Sequence, residues 1–226
     1  MKPISENVRE PKGEQGAIPS GRIALQGELV IPNGAKGVVL FAHGSGSSRH
    51  SPRNQQVARL LRKAGLGTLL FDLLTAEEEE LDMKRRHLRF DINLLAGRLL
   101  DATAWITTRP GMTHLRAGYL GSSTGAAAAL VAAVQMGGKV HAIVSRGGRP
   151  DLAGQALGAV TAPTLLIVGE LDQAVISLNE QALTKIAAPK EMKIVPRATH
   201  LFEEPGTLEE AARLAAEWFD RYLQRG

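Results

Sequence analysis

The hydrophobic and polar positions of the chain divide into short apolar runs and amphipathic stretches. The apolar runs predict strands, and stretches with an apolar residue every three or four positions predict helices. The predicted strands cover residues 23–31, 37–42, 68–71, 115–120, 140–144, 164–168 and 193–195. The predicted helices cover residues 53–64, 90–107, 124–136 and 208–223. This alternation predicts an α/β fold with a mostly parallel central sheet of about seven strands and helices on both faces.

The N-terminal region has a different pattern. Residues 1–20 are polar and interrupted by proline and glycine, which predicts a flexible N-terminal arm. The predicted strands 23–31 and 37–42 flank the turn signal Pro32-Asn33-Gly34, so we expect an antiparallel hairpin here. With no repeat or linker in the remainder, residues 21–226 are predicted to form one domain. The charged segment 77–86 is weakly patterned, and a flap over a pocket is one hypothesis for it.

Composition narrows the classes of function. The chain has 226 residues and no cysteine, which excludes disulfides, a thiolate zinc site and a cysteine nucleophile. The formal net charge of +4 is spread along the chain, so we expect no nucleic-acid partner. No apolar run approaches the ~20 residues that span a bilayer, and the first residues lack the apolar core of a secretory signal. We therefore expect a cytoplasmic protein with no membrane partner.

The most informative motif is Gly121-Ser122-Ser123-Thr124-Gly125, which lies between a predicted strand and a predicted helix. A serine at such a turn presents its hydroxyl outside the sheet, above the positive end of a helix. Glycines on both sides allow the sharp turn and the close approach of helix to sheet. The pattern indicates Ser123, the middle residue between the two glycines, as a nucleophile.

A base and an orienting acid follow later strands. Asp172 comes after one predicted strand and His200 after the next, so both are expected at the same sheet edge as Ser123. A histidine can take the serine proton, and a carboxylate can fix the histidine tautomer. Glu170 and Asp72 are rival carboxylates, of which Asp72 precedes the serine in the chain. The predicted catalytic residues are therefore Ser123, Asp172 and His200.

A glycine-rich turn, His43-Gly44-Ser45-Gly46, supplies a predicted oxyanion hole. We expect its donors to be the backbone N–H groups of Ser45 and Thr124. His43 is expected to shape the turn, and nearby arginines could hold an anionic substrate group. The candidate substrate-binding residues are His43, Gly44, Gly46, Arg49, Arg53 and Arg146. No histidine and carboxylate spacing suggests a metal site.

These motifs, together with Gly169-Glu170-Leu171-Asp172 and Ala198-Thr199-His200-Leu201-Phe202, resemble those of the α/β-hydrolase superfamily. The compact size and the absence of a large inserted cap are most similar to its dienelactone hydrolase branch. The resemblance covers the chain from about residue 20 onward. Dienelactone hydrolases proper have a cysteine nucleophile, whereas this chain has Ser123. The resemblance therefore implies a general ester or thioester hydrolase.

The predicted function is a serine hydrolase that cleaves a small-molecule ester or thioester through an acyl-enzyme, with no cofactor. An acyltransferase, or a hydrolase of C–C or peptide bonds, would use the same triad. A non-catalytic small-molecule-binding protein is an alternative from another class. A nucleotide-binding protein is a third, although Arg49 stands where the third glycine of a dinucleotide loop belongs. A homodimer is one assembly consistent with the sequence.

Overall fold

The computed structural model describes residues 13–224, so the predictions for residues 1–12 lie outside the described part of the chain. An eight-stranded sheet with the order β1-β2-β4-β3-β5-β6-β7-β8 forms the centre of the fold. Its strands are β1 (Glu14–Ser20), β2 (Ile23–Val30), β3 (Gly37–Ala42), β4 (Gly67–Phe71), β5 (Arg116–Ser122), β6 (Val140–Arg146), β7 (Thr164–Gly169) and β8 (Lys190–Val195). The predicted α/β class is confirmed, with eight strands instead of about seven.

Six strands of the sheet, from β4 to β8 across its width, run parallel to one another, whereas β2 pairs antiparallel with β4. Every residue of β3, β4 and β7 is buried. Strands covered on both faces need apolar side chains in both directions, which explains the continuous apolar runs in the sequence. Their carboxyl ends meet at one edge, where the candidate site lies.

The antiparallel hairpin is present, but its pairing differs from the prediction. It joins β1 to β2, while β3 pairs in parallel with β4 and β5. Strand β1 also corrects the predicted arm, because residues 14–20 are ordered into the sheet. The sequence pattern did not predict this strand because it contains Pro19, although a proline is tolerated where an edge strand needs no N–H donor. The strand also contains Gly16, where an added Cβ would lie 3.0 Å from the Trp105 ring.

The helices cover both faces of the sheet. They are α1 (Pro52–Lys63), α2 (Ala76–Arg85), α3 (Ile92–Thr107), α4 (Thr124–Gln135), α5 (Gln173–Lys185) and α6 (Thr207–Leu223), with short 3₁₀ segments at Leu88–Phe90 and Pro150–Ala159. One apolar layer contains Leu99 of α3, Leu130 of α4 and Ala182 of α5. The other contains Leu61 of α1 and Phe219 of α6. None of the helices within residues 13–224 is long and apolar enough to cross a membrane.

The charged segment forms helix α2, which the sequence pattern did not predict. Its N-terminus has a capping box, in which the Thr75 hydroxyl accepts the Glu78 N–H at 3.2 Å and the Glu78 carboxylate accepts the Thr75 N–H at 2.9 Å. Glu78 also pairs with Arg98 of α3 at 2.7 Å. Asp82 is 1% exposed and pairs with Arg89. Specific polar contacts therefore fix this helix beside the glycine-rich turn.

Candidate active site

Ser123 lies at the junction of β5 and α4 in a backbone conformation that non-glycine residues rarely adopt. Its φ is 50° and its ψ is −125°. Such conformations cost on the order of 1–3 kcal/mol and persist where the surrounding structure enforces them. This is the strained strand-to-helix turn that the Gly-x-Ser-x-Gly pattern predicts.

The two glycines of the motif are required by close backbone contacts. A Cβ added to Gly121 would lie 2.4 Å from the Cα of Ala126. A Cβ added to Gly125 would lie 2.0 Å from the carbonyl oxygen of Ala42, at the end of β3. Helix α4 therefore begins directly against the sheet, and its N-terminus lies beneath Ser123.

His200 and Asp172 are hydrogen-bonded to each other. Nδ1 of His200 donates to Oδ2 of Asp172 at 2.6 Å, because an ionised carboxylate can only accept. The loops that carry them are joined as well, since the Leu171 N–H donates to the Ala198 carbonyl at 2.9 Å. With the proton on Nδ1, Nε2 of His200 is left as the basic nitrogen, as a serine triad requires.

The rival carboxylates have other partners. Glu170 accepts the N–H of Arg197 at 2.7 Å. Asp72 accepts the N–H of Arg49 at 2.8 Å and pairs with the Arg49 side chain. Among these three carboxylates, Asp172 is the one that contacts His200.

A cavity of about 270 Å³ brings the serine and the histidine together, and we call it the nucleophile cavity. Its lining includes Ser123, His200, Arg146, Arg53 and the glycine-rich turn at Gly44 and Ser45. The structure thus places two members of the predicted triad on one cavity, with the third bonded to His200.

The glycine-rich turn packs directly against the nucleophile. A Cβ added to Gly44 would lie 2.9 Å from Cβ of Ser123. The hydroxyls of Ser45 and Thr124 are hydrogen-bonded at 3.1 Å, so the two predicted oxyanion donors are neighbours. Within residues 13–224, neither of their backbone N–H groups has an acceptor. This arrangement suits two N–H groups that stabilise negative charge on a reacting carbonyl.

His43 supports this turn from inside the fold. It is 7% exposed, and its Nε2 accepts the N–H of Leu73 at 3.0 Å. Its Nδ1 donates to the Gly44 carbonyl at 3.0 Å, as a neutral ring with a protonated Nδ1 can. Burial lowers the pKa of His43, which keeps the ring neutral. These two hydrogen bonds tie His43 to the glycine-rich turn and to Leu73.

Arg146 is a buried cation beside the nucleophile. It is 8% exposed, and its Nη2 donates to Asn54 and to the Ser122 hydroxyl, each at 3.0 Å. Its Nη1 has no hydrogen-bond partner among the described residues. Burial lowers the pKa of Arg146 to about 10, and the positive charge of Arg53 adds to this effect. No carboxylate is paired with Arg146 in the described chain, so the cavity wall holds uncompensated positive charge.

The remaining candidates lie at different distances from the nucleophile. Arg53 lines the nucleophile cavity and pairs with the exposed Glu203 at 2.7 Å. Arg49 is turned towards Asp72 and lines a separate cavity next to α2. Gly46, with φ 70°, lines a cavity on the other side of the turn. The sequence analysis missed Asn54, which is 3% exposed; its only signal was a polar residue on α1 soon after the turn.

No group of three or more histidine, aspartate or glutamate side chains in residues 13–224 could hold a metal ion.

Solved structures share this fold. A crystal structure of dienelactone hydrolase from Anabaena variabilis is 59% identical and covers 96% of this chain and 100% of its own, with a TM-score of 0.93. Est1E from Butyrivibrio proteoclasticus is 14% identical, with coverage of 93% and 98% and a TM-score of 0.76, which shows a common fold alone. The fold is therefore the α/β-hydrolase fold.

Curated relatives from Mycobacterium tuberculosis are named as transferases and not as hydrolases. Two of them, provisionally named phosphoribosyl transferases, are 54% identical over 212 residues. The match covers 94% of this chain and 47% of each relative, so the chain spans about half of their length. A family model described as the dienelactone hydrolase family matches residues 25–224. The chain belongs to the dienelactone hydrolase family.

Proposed function

We propose that this protein is a serine hydrolase that cleaves a carboxylic ester or thioester of a small molecule through an acyl-enzyme. One observation carries the proposal: the strained Ser123 shares a cavity with His200, and Nδ1 of His200 is bonded to Asp172 at 2.6 Å. Membership of the dienelactone hydrolase family supports the same class of chemistry. The departure from that family's cysteine nucleophile favours a general ester or thioester over dienelactone itself.

Each residue has a defined task in this proposal. Nε2 of His200 takes the proton of the Ser123 hydroxyl as Oγ bonds to the substrate carbonyl carbon. The N–H groups of Ser45 and Thr124 stabilise the resulting oxyanion. His200 then gives its proton to the leaving oxygen or sulfur as that bond breaks, which leaves the acyl group on Ser123. Water, deprotonated by His200, releases the acid in the reverse sequence, while Asp172 stabilises the imidazolium.

The first test uses paired serine variants. Ser123→Ala should abolish p-nitrophenyl acetate hydrolysis while the thermal unfolding temperature changes little. Ser122→Ala is the matched control, because it removes a hydroxyl from the same cavity and leaves the Ser123 hydroxyl in place. We expect this control to retain most of the activity. Full activity in Ser123→Ala would refute the assignment.

Other reaction classes are separated by their products and by labelling. An acyltransferase with the same triad would pass the acyl group to an added alcohol or amine in preference to water. A hydrolase of C–C or peptide bonds would leave aryl esters as poor substrates. A non-catalytic binding protein would not react with a fluorophosphonate probe, and neither would a nucleotide-binding protein, which NAD or ATP would stabilise instead.

The transferase name of the curated relatives is not extended to this chain. That name describes proteins of which this chain matches 47%. Nothing in the arrangement of Ser123, His200 and Asp172 favours transfer of a phosphoribosyl group.

We further propose that the preferred substrate carries an anionic group near the scissile bond. Arg146 places a buried guanidinium with an unpartnered Nη1 on the nucleophile cavity. Arg53 adds a second cation whose present partner, Glu203, is on the surface. A bound carboxylate or phosphate could accept hydrogen bonds from both guanidinium groups and compensate the buried charge.

The cellular setting is also part of the proposal. We propose a cytoplasmic enzyme that acts on a small molecule without a cofactor, a metal or a nucleic-acid partner. The support is the absence of cysteine and the dispersed charge of the sequence. A homodimer remains one proposed assembly, which sedimentation equilibrium would test.

A further inference from the structure

A second cavity lies on the other side of the glycine-rich turn. Its volume is about 360 Å³, and it shares Gly44, Ser45 and Ser47 with the nucleophile cavity. Its apolar wall consists of Leu73, Leu74, Leu95 and Met83, and we call it the leucine cavity. Its volume is at the lower end of the range for small-molecule sites, which is about 300–1,000 Å³.

The walls of the leucine cavity differ in exposure. Leu73, Leu74 and Leu95 are buried, with exposures of 1%, 7% and 3%, so they form a fixed floor. Met83 of α2 is 73% exposed, although it lines the cavity. An apolar ligand on this floor would cover the Met83 side chain, which is flexible enough to adapt to it.

Charged groups around the leucine cavity restrict what can enter. Asp82 and Arg89 neutralise each other in an ion pair. Glu79 is left without such a partner in the described chain, and burial together with Asp72 and Asp82 raises the pKa of its carboxyl. An anionic ligand would lie close to this acidic side chain, whereas an uncharged chain would not be repelled.

The chemistry of ester cleavage assigns the two cavities to different parts of a substrate. His200 must reach the leaving oxygen to protonate it, so the leaving group lies in the nucleophile cavity that His200 lines. The carbonyl oxygen is directed to Ser45 and Thr124. The acyl chain then extends from the carbonyl carbon away from His200, and the leucine cavity begins on that side, since Thr124 lines it and His200 does not.

We propose that the leucine cavity is the acyl subsite and that it selects esters with a short or medium-length uncharged apolar acyl chain. The inference rests on the proposed esterase function. It adds that Met83, with Leu73, Leu74 and Leu95, determines acyl-chain preference. The anionic group of the substrate belongs on the leaving-group side, towards Arg146 and Arg53.

The test is a series of p-nitrophenyl esters with acetyl, butyryl and hexanoyl groups. The leaving group is constant, so the ratio of kcat/KM for hexanoate to kcat/KM for acetate reports the acyl subsite alone. Burial of one methylene favours the longer ester by about fourfold, so butyrate should exceed acetate by about fifteenfold in the wild-type protein. A ratio that is flat or falls with chain length overturns the inference.

Two substitutions on one helix make the test specific. Met83→Lys places a charge on the cavity wall, and we expect it to lower the hexanoate-to-acetate ratio about tenfold. Leu81→Lys is the matched control, because Leu81 is 53% exposed on α2 and does not line the cavity. It should keep the wild-type ratio. An unchanged ratio in Met83→Lys overturns the acyl subsite.

A third variant separates the two cavities. If Arg53→Leu changes the hexanoate-to-acetate ratio while Met83→Lys does not, the acyl chain occupies the nucleophile cavity and the inference is wrong. Absence of turnover for all three esters, with no labelling of Ser123 by a fluorophosphonate, overturns the proposed function and this inference with it. Acetate turnover with a failed chain-length response overturns the acyl subsite alone.

Discussion

Replacing Asp172 by asparagine tests how the histidine is held. The carboxylate accepts the Nδ1 proton of His200 at 2.6 Å, a distance typical of a strong charge-assisted bond. An asparagine amide can instead donate to Nδ1, which favours the tautomer with its proton on Nε2. In that tautomer Nε2 has no free lone pair for the Ser123 proton, so the base is lost although the geometry remains.

The expected fall in kcat depends on how exposed the side chains of Asp172 and His200 are. Loss of the correct tautomer in a buried triad costs about 10⁴-fold in kcat. Here the side chain of Asp172 is 15% exposed and that of His200 is 39% exposed, so water compensates part of the loss. We therefore expect kcat to fall by about 10³-fold, which corresponds to about 4 kcal/mol of transition-state stabilisation.

The assay is p-nitrophenyl acetate hydrolysis by purified variants with matched thermal unfolding temperatures. Glu170→Gln is the control, because Glu170 is two residues away and is bonded to the Arg197 N–H instead of to His200. It should keep kcat within a few-fold of wild type. A less than tenfold loss of kcat in Asp172→Asn, or an equally large loss in Glu170→Gln, would contradict this role of Asp172.

Three further predictions concern packing, pH and substrate charge. Gly125→Ala should lower the free energy of unfolding by about 3 kcal/mol, because its Cβ would lie 2.0 Å from a backbone oxygen. Gly97→Ala is the control and should be neutral or stabilising, because the space around its Cβ is open. Urea unfolding measures both free energies. The buried His43 has a pKa below its ordinary 6.5, so the unfolded chain binds the extra proton and stability should fall as pH drops below about 6.5. His43→Gln should weaken that pH dependence in urea titrations, and an unchanged slope would contradict it. Arg53→Gln should lower the ratio of kcat/KM for 4-acetoxybenzoate to that for phenyl acetate about tenfold, whereas Arg49→Gln, outside the cavity, should not alter this ratio.

The parallel part of the sheet was predictable because burial on both faces leaves a simple pattern. The strand predicted at 68–71 is observed at Gly67–Phe71, and the helix predicted at 208–223 is observed at Thr207–Leu223. Local pattern alone determines such elements, since they need only a continuous apolar run or a regular apolar stripe.

Elements with polar contacts in the core were harder to predict. Helix α5 was missed because Asn179 lies on its buried face, between Val175 and Ala182. The Asn179 side chain donates to the Gly148 carbonyl at 3.0 Å, a partner 31 residues away. A long-range hydrogen bond of this kind leaves no periodic signal in the sequence.

The same distinction applies to the candidate site. The sequence predicted that Ser123, Asp172 and His200 lie close together, because the topology of a parallel sheet brings strand ends together. The orientation of the arginines could not be predicted. Arg49 turns to Asp72, 23 residues away, and Arg146 is buried against Asn54, 92 residues away. Which arginine faces the nucleophile therefore depends on tertiary contacts.

Activation of Ser123 as a nucleophile is tested most directly by locating its covalent adduct. The protein is treated with a fluorophosphonate, digested and mapped by tandem mass spectrometry, with His200→Ala as the control for activation. We expect one adduct, on Ser123, formed much more slowly in the His200 variant. Labelling of Ser45 or Ser122, which line the same cavity, or no labelling at all would contradict it.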